Sequence, residues 1–155
     1  MKILLTIIGV LFLKFVIANP LCNAVKENDL VTVSELLENG ALVNERNELG
    51  YTPLMLASGL GNYHMVDLLL TAGADVHMLD TRMGSTALHK AAQSGEVPVA
   101  ELLIRHGAFI DMRSPTNGNT PLLDASWFRN AAMVEYTCLL REPTGRSKPE
   151  EHSQL

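Results

Sequence analysis

The side chains that could do chemistry in this chain of 155 residues are a few scattered histidines, cysteines and methionines. A catalytic site needs a nucleophile beside a base, or paired acid and base groups, and a nucleotide site needs a glycine-rich loop. The sequence has none of these motifs and no His/Cys spacing typical of a metal site. We therefore predict that the protein is not an enzyme and needs no cofactor.

One group of residues keeps a metal-binding alternative open. His77, Met78, Met83 and Met112 supply imidazole and thioether donors, a combination that suits Cu(I). Methionines between helices are more often incidental, so copper binding is the alternative function and not the one we favour.

The charge of the chain argues against a nucleic-acid partner. The formal net charge is −5, and it becomes −7 if Lys2 and Lys14 are removed with the N-terminal segment described below. Binding to a phosphate backbone requires lysine and arginine clustered on one face. Since the sequence has no such cluster, we expect no nucleic-acid binding.

The N-terminal segment, residues 1–18, has the pattern of a secretory signal. Met1-Lys2 is a basic start, Ile3 to Leu13 is almost entirely apolar, and Val16-Ile17-Ala18 is an acceptable cleavage site. The apolar run is well short of the roughly 20 residues that span a bilayer. We therefore predict cleavage after Ala18, no stable membrane insertion, and export to a bacterial periplasm or to the exterior. Lys14 interrupts the run, and an uncleaved anchor is the alternative.

After the N-terminal segment, the sequence repeats with a period of 34 residues. The marker residues with this spacing are Thr52, Thr86 and Thr120; Gly50, Gly84 and Gly118; and Ala57, Ala91 and Ala125. A Gly-Ala pair recurs at residues 40, 73 and 107, so the first interval is one residue shorter. A fixed period of this length indicates a stack of repeated units. We divide the chain into repeats at about 19–49, 50–83, 84–117 and 118–140.

Four motifs resemble the ankyrin repeat: Thr52-Pro53-Leu54, Thr86-Ala87-Leu88-His89, the leucines at 68–70, and Gly73-Ala74-Asp75-Val76. The resemblance covers about residues 19 to 136. It implies an all-α repeat solenoid, built from antiparallel helix pairs with β-hairpin finger loops. The repeat domain would occupy residues 19–140, and the polar, proline-containing residues 141–155 are predicted to be a disordered tail.

Local signals place the helix ends. Asp29 is suited to cap the second helix of repeat one, and Pro53 and Pro98 suit the first turns of their helices. Gly73 and Gly107 are predicted to end second helices in a left-handed conformation.

Three potentially reactive side chains receive structural interpretations. His89 could be a base or a metal ligand, but the resemblance implies that it links the threonine hydroxyl to nearby backbone. Cys22 and Cys138 fall in the first and last repeats, whereas a disulfide needs Cα atoms within about 7 Å. We therefore predict unpaired thiols.

The fourth repeat departs from the pattern. Tyr136-Thr137-Cys138 replaces the leucine-rich triplet, and Arg141 stands where a helix-ending glycine is expected. The sequence is consistent with a poor terminal cap or with truncation of a longer repeat array.

The resemblance implies that partners bind a concave face, through finger residues and the end of each first helix. These predicted partner-binding residues are Leu49, Tyr51, Leu60, Arg82, Met83, Arg113, Trp127, Phe128 and Arg129. The aromatic pair at 127–128 could instead pack on the tail or on a missing fifth repeat. We predict a monomeric, exported, non-catalytic scaffold or adaptor that binds a protein partner.

Overall fold

The architecture is a row of four helix pairs, which a computed structural model describes for residues 19–141. The helices are α1 (Pro20–Lys26), α2 (Leu30–Glu38), α3 (Pro53–Gly59), α4 (Tyr63–Thr71), α5 (Ala87–Ser94), α6 (Val97–Arg105), α7 (Pro121–Trp127) and α8 (Ala131–Arg141). These described residues contain no strand, and the predicted all-α repeat solenoid is confirmed. The predicted signal peptide and residues 142–155 of the predicted tail lie outside the described residues.

The helices form two layers. Helices α1, α3, α5 and α7 pack side by side in chain order as the first-helix layer, while α4, α6 and α8 pack in the same way as the second-helix layer. Each first helix also packs on the second helix of its own pair. At the start of the second layer, an opening of about 380 Å³ lies between α2 and α4.

Most of the described helices begin after a residue whose side chain accepts a backbone N–H of the first turn. Thr52, Thr86 and Thr120 each accept the N–H of the residue three positions on, at 3.3 to 3.4 Å. Asp29 caps α2 as predicted, accepting the Thr32 N–H at 3.0 Å. The caps therefore fix the start of one helix after another at the repeat spacing.

Residues with positive φ close the turn within each helix pair. They are Asn28 (59°), Gly61 (69°), Gly95 (84°) and Arg129 (60°). Glycine adopts this conformation freely, whereas a side chain makes it unfavourable. Arg129, which we predicted from the resemblance as a contact residue, thus also occupies a strained turn position. The predicted left-handed glycines Gly73 and Gly107 are confirmed, with φ of 88° and 92°.

Small residues set the spacing of the first-helix layer. Ala57, Ala91 and Ala125 are completely buried, at 0% exposure. In the second-helix layer leucines fill the contacts between neighbouring helices, and Leu69 and Leu103 are also completely buried. Close approach of the helices and burial of these side chains hold neighbouring repeats together.

Helix α8, the second helix of the last repeat, continues past the point where the leucine pattern of the repeats is lost. Thr137 is buried where the other second helices have leucine, and its hydroxyl donates to the Met133 carbonyl at 2.7 Å. Helix α8 then runs to Arg141, the first residue of the predicted tail. Leu139 remains exposed on it. The last repeat therefore keeps both of its helices and exposes an apolar side chain on the second.

The expected β-hairpin fingers are turns, each closed by a backbone hydrogen bond of 2.8 to 2.9 Å across its ends and by a second one inside it. The donors and acceptors are Asn47 N–H to Tyr51 O, Asp80 N–H to Ser85 O, and Ser114 N–H to Asn119 O. The first loop is tied to the second by Arg46, which donates to the Leu79 carbonyl at 3.0 Å.

His89 has the structural role that the resemblance implied. It is completely buried, and its Nδ1 accepts the Thr86 N–H at 3.2 Å and lies 2.9 Å from the Thr86 hydroxyl. Its Nε2 lies 3.1 Å from the Asn119 carbonyl, so the proton belongs on Nε2. The imidazole therefore joins the start of α5 to the next loop.

Both cysteines are free, as predicted. Cys22 is buried in α1, and Cys138 is exposed on α8. Burial raises the pKa of the Cys22 thiol to about 11, so this side chain stays protonated and packs as an apolar group.

Protonation of His89 should destabilise the fold. Burial lowers the pKa of His89 below its usual value, and a second ring proton would displace the Thr86 N–H. Because the unfolded chain takes up this proton at a higher pH, the free energy of unfolding should fall as pH drops through about 6.5. Urea unfolding at about pH 7.5 and about pH 5.5 measures this.

Two substitutions serve as comparisons. His89→Gln should cost about 1–3 kcal/mol at neutral pH and should show a smaller loss of stability between the two pH values. His64→Gln changes an exposed histidine and should leave both quantities near wild type. Equal pH dependence in the wild type and His89→Gln would show that His89 does not control it.

Candidate binding surface

The most suitable binding feature is a groove of about 290 Å³ on the first-helix layer, between α1, α3 and α5. We call it the α3 groove. Its lining residues are Lys26, Tyr51, Met55, Leu56, Gly59, Leu60, Lys90 and Gln93. The floor is largely apolar, and a lysine lies at each side. Such a groove can take an apolar side chain from a partner.

The groove is open because residue 59 has no side chain. A Cβ added at Gly59 would meet only the Cβ of Lys90, at an ordinary contact distance of 3.7 Å. One repeat later the same position is Gln93, and one repeat beyond that it is Trp127. A side chain at 59 is therefore compatible with the fold, but it would occupy the groove.

Lys90 is held in place at the edge of the groove. Its ammonium lies 3.2 Å from an Asp80 carboxylate oxygen and 4.9 Å from the centre of the Tyr51 ring. The lysine side chain is only 13% exposed. An ion pair and a cation–π contact thus fix its position.

Asp80 is a buried anchor for the loop below Lys90. Its oxygens accept the backbone N–H groups of Arg82, Met83 and Ser85. Burial raises the pKa of the Asp80 carboxyl, but these donors and the charge of Lys90 outweigh burial and hold it below its usual value. The carboxylate therefore stays charged and orients the lysine.

The space between α5 and α7 is bridged by polar contacts. Asp124, which is buried, accepts hydrogen bonds from Gln93 Nε2 at 3.0 Å and from Asn119 Nδ2 at 2.8 Å. Asn130 also donates to the carbonyls of Ala92 and Gln93. The Gln93 side chain thus forms a hydrogen bond to α7, whereas the equivalent Gly59 has no side chain to reach α5.

The predicted contact residues fall into separate groups. Tyr51 and Leu60 line the α3 groove together. The loop residues, which are exposed and do not line it, are Leu49, Arg82, Met83 and Arg113. Trp127 and Phe128, at the end of α7, are 84% and 53% exposed, and Arg129 follows them in the turn. Packing of the aromatic pair on residues 142–155 concerns a part of the chain outside the described residues.

Two charged residues of the groove were missed by reasoning from the sequence. Lys26 is the repeat-one counterpart of Gly59, so extending the repeat register back by one unit would have found it. Lys90 has the same place in its repeat as Leu56 and Asp124 have in theirs. Because these three side chains are of different types, the repeat pattern does not indicate a lysine there. Its role follows from contacts with Asp80 and Tyr51, which no spacing reveals.

The residues of the copper alternative have other contacts. The His77 ring packs on Phe109 with centroids 4.6 Å apart, and the Met78 sulfur lies 4.0 Å from an Arg46 nitrogen. Within residues 19–141, no cluster of three or more His, Cys, Asp or Glu side chains could hold a metal ion. The copper alternative gains no support from these contacts.

No helix in the described part of the chain has the length and apolar character needed to cross a membrane.

Comparison with known protein families identifies the repeated unit. A family model described as ankyrin repeats (3 copies) matches residues 14–80 and 61–144. Together these matches cover most of the chain, including all the described helices.

Three similar proteins differ widely in what they are named for. A probable E3 ubiquitin-protein ligase of Oryza sativa subsp. japonica is 39% identical over 71 residues, 46% of this chain and 14% of that protein. The mitochondrial disaggregase of Bos taurus is 45% identical over 60 residues, 39% of this chain and 9% of that protein. A putative ankyrin repeat protein of fowlpox virus is 40% identical over 60 residues, 39% of this chain and 11% of that protein. The matched segment thus spans about a tenth of each relative.

Proposed function

This chain belongs to the ankyrin-repeat family, and we propose from that premise that it is a non-catalytic scaffold or adaptor that binds a protein partner. Ankyrin repeats are generally protein–protein interaction modules, and the function of such a stack depends on the surface that its repeats present. The partner binds the face formed by the first-helix layer and its loops. The protein acts as a monomer.

The α3 groove is the observation that carries this proposal. Tyr51 and Leu60, both expected as contact residues, line it together, and Leu60 is 58% exposed. An exposed aliphatic side chain beside an aromatic ring and an open apolar floor is a suitable seat for a partner's anchor residue.

The exposed aromatic pair is a second contact area in this proposal. Trp127 and Phe128 lie at the register position of Gly59 and Leu60, at the end of a first helix. Tryptophan is strongly enriched among the residues that dominate interface energies. A partner that covers the first-helix layer would reach both areas.

The activities in the relatives' names are not transferred to this chain. The alignments cover 14% of the E3 ligase and 9% of the disaggregase. A non-catalytic role is supported here by the absence of a nucleophile or acid–base motif from the sequence.

Affinity capture with matched variants tests the proposed binding face. Gly59→Gln fills the α3 groove with the side chain that repeat three carries, and Trp127→Ala with Phe128→Ala removes the aromatic pair. Each should reduce capture of a partner about tenfold or more, which is the effect of losing one hot spot. The readout is quantitative mass spectrometry of captured proteins.

Val31→Ser is the control, because Val31 is exposed on α2 and lies outside the groove. It should leave capture unchanged, and circular dichroism should show all variants folded. A partner whose capture is insensitive to both first-helix variants but is lost with Val31→Ser would contradict the proposed face.

We also propose that the chain is exported and that residues 1–18 are removed. The support is the basic start and the apolar run of residues 3–13, which lie outside the described residues. Expression of the full sequence in a bacterium, followed by fractionation and intact-mass measurement, tests this. We expect a periplasmic or secreted chain that begins at Asn19.

A variant that lacks residues 2–18 should stay in the cytoplasm. Retention of the full chain in the cytoplasm, or an exported chain that stays on a membrane with its N-terminal segment uncleaved, would contradict export with cleavage. Neither result bears on the binding face.

A further inference from the structure

Both charged side chains that line the α3 groove are lysines, although the whole chain is acidic. The chain carries a net charge of −5, yet the groove is lined by Lys26 and Lys90 and by no carboxylate. Lys26 is exposed at the end of α1, and Lys90 approaches from α5. The apolar floor is thus flanked by an exposed cation, Lys26, and by Lys90, whose ammonium is paired with Asp80.

Lys90 is prepared to meet a further anion. Asp80 and Tyr51 restrain the lysine, so little side-chain freedom is left to lose on binding. An ammonium has three donors, and the contact with Asp80 occupies one side of it. Asp80 is itself satisfied by three backbone N–H groups, so its charge is shared among several donors.

The floor between the lysines accepts an apolar side chain. Met55 and Leu56 lie beneath it, Leu60 and Tyr51 form its walls, and Gly59 leaves the centre open. A volume of about 290 Å³ is enough for one large aliphatic or aromatic side chain.

We infer that the α3 groove binds an acidic-apolar peptide segment of the partner, in which one large apolar side chain is flanked by aspartate or glutamate. This inference rests on the proposed protein-binding function and specifies its partner class. The apolar side chain enters over Gly59, and the flanking carboxylates meet Lys90 and Lys26. A segment with basic flanks is repelled by the same two lysines.

The probes are three short capped peptides in a Gly-Ser background. In the first a leucine is flanked by glutamates, in the second the glutamates are replaced by lysines, and in the third the leucine is replaced by alanine. Each is titrated into the ¹⁵N-labelled full chain, and backbone amide shifts are followed by NMR. This method detects binding with a dissociation constant of about 1 mM, which is the affinity expected for a single anchor residue.

The glutamate–leucine peptide should cause saturable shifts at Tyr51, Leu60 and Lys90, and these should weaken as salt is raised. The other two peptides should cause much smaller shifts. Lys26→Glu should weaken the binding of the first peptide about fivefold, the effect of one exposed ion pair. Gly59→Gln should abolish the shifts while the remaining spectrum stays that of a folded chain.

Arg105→Glu is the matched control, because it makes the same charge change on α6 outside the groove. It should leave the affinity unchanged. Equal shifts from the glutamate and lysine peptides, equal weakening by Lys26→Glu and Arg105→Glu, or no saturable shift from any peptide would each overturn the inference.

The outcome is separable from that of the proposed function. If the peptides fail but a captured partner is still lost with Gly59→Gln, the face binds protein through a different chemistry. If the partner is insensitive to every first-helix variant, the proposed function fails as well.

Discussion

The structure depends on the close contact between neighbouring first helices. A single helix pair cannot bury its own apolar faces, and stacking on the next pair does so. Ala57, Ala91 and Ala125 are completely buried at this contact. A larger side chain at any of these positions would push the layer apart. Three alanines that recur at the repeat spacing therefore set the distance between neighbouring first helices.

Polar contacts then fix the loops on this layer. His89 reaches the carbonyl of Asn119 in the next loop, and Asp80 holds both its own loop and Lys90. These contacts give the first-helix face a definite shape before any partner arrives. A preformed surface loses less conformational entropy on binding than a flexible one. The α3 groove is thus a property of the scaffold as well as of its lining residues.

Much of the fold was predictable from the sequence, because period, caps and turn glycines are local signals. Asp29 and Gly73 lie at the ends of their helices as the local signals predicted, and the threonines that marked the repeat spacing cap the first helices. The groove was only partly predictable. It arises from a missing side chain at Gly59 and from an ion pair between a loop and a helix, and neither leaves a periodic signal. Arg129 was placed by resemblance as a contact residue, although its register with Gly61 and Gly95 marks the positive-φ turn position that it occupies.

Hydrogen exchange of the chain with and without a captured partner tests most directly whether a protein binds the first-helix face. Exchange reports which backbone segments a partner covers or stabilises. The proposed function predicts slower exchange in residues 51–60 and 87–94, which line the α3 groove, with little change in α4 and α6. Slower exchange confined to the second-helix layer, with residues 51–60 unchanged, would contradict it.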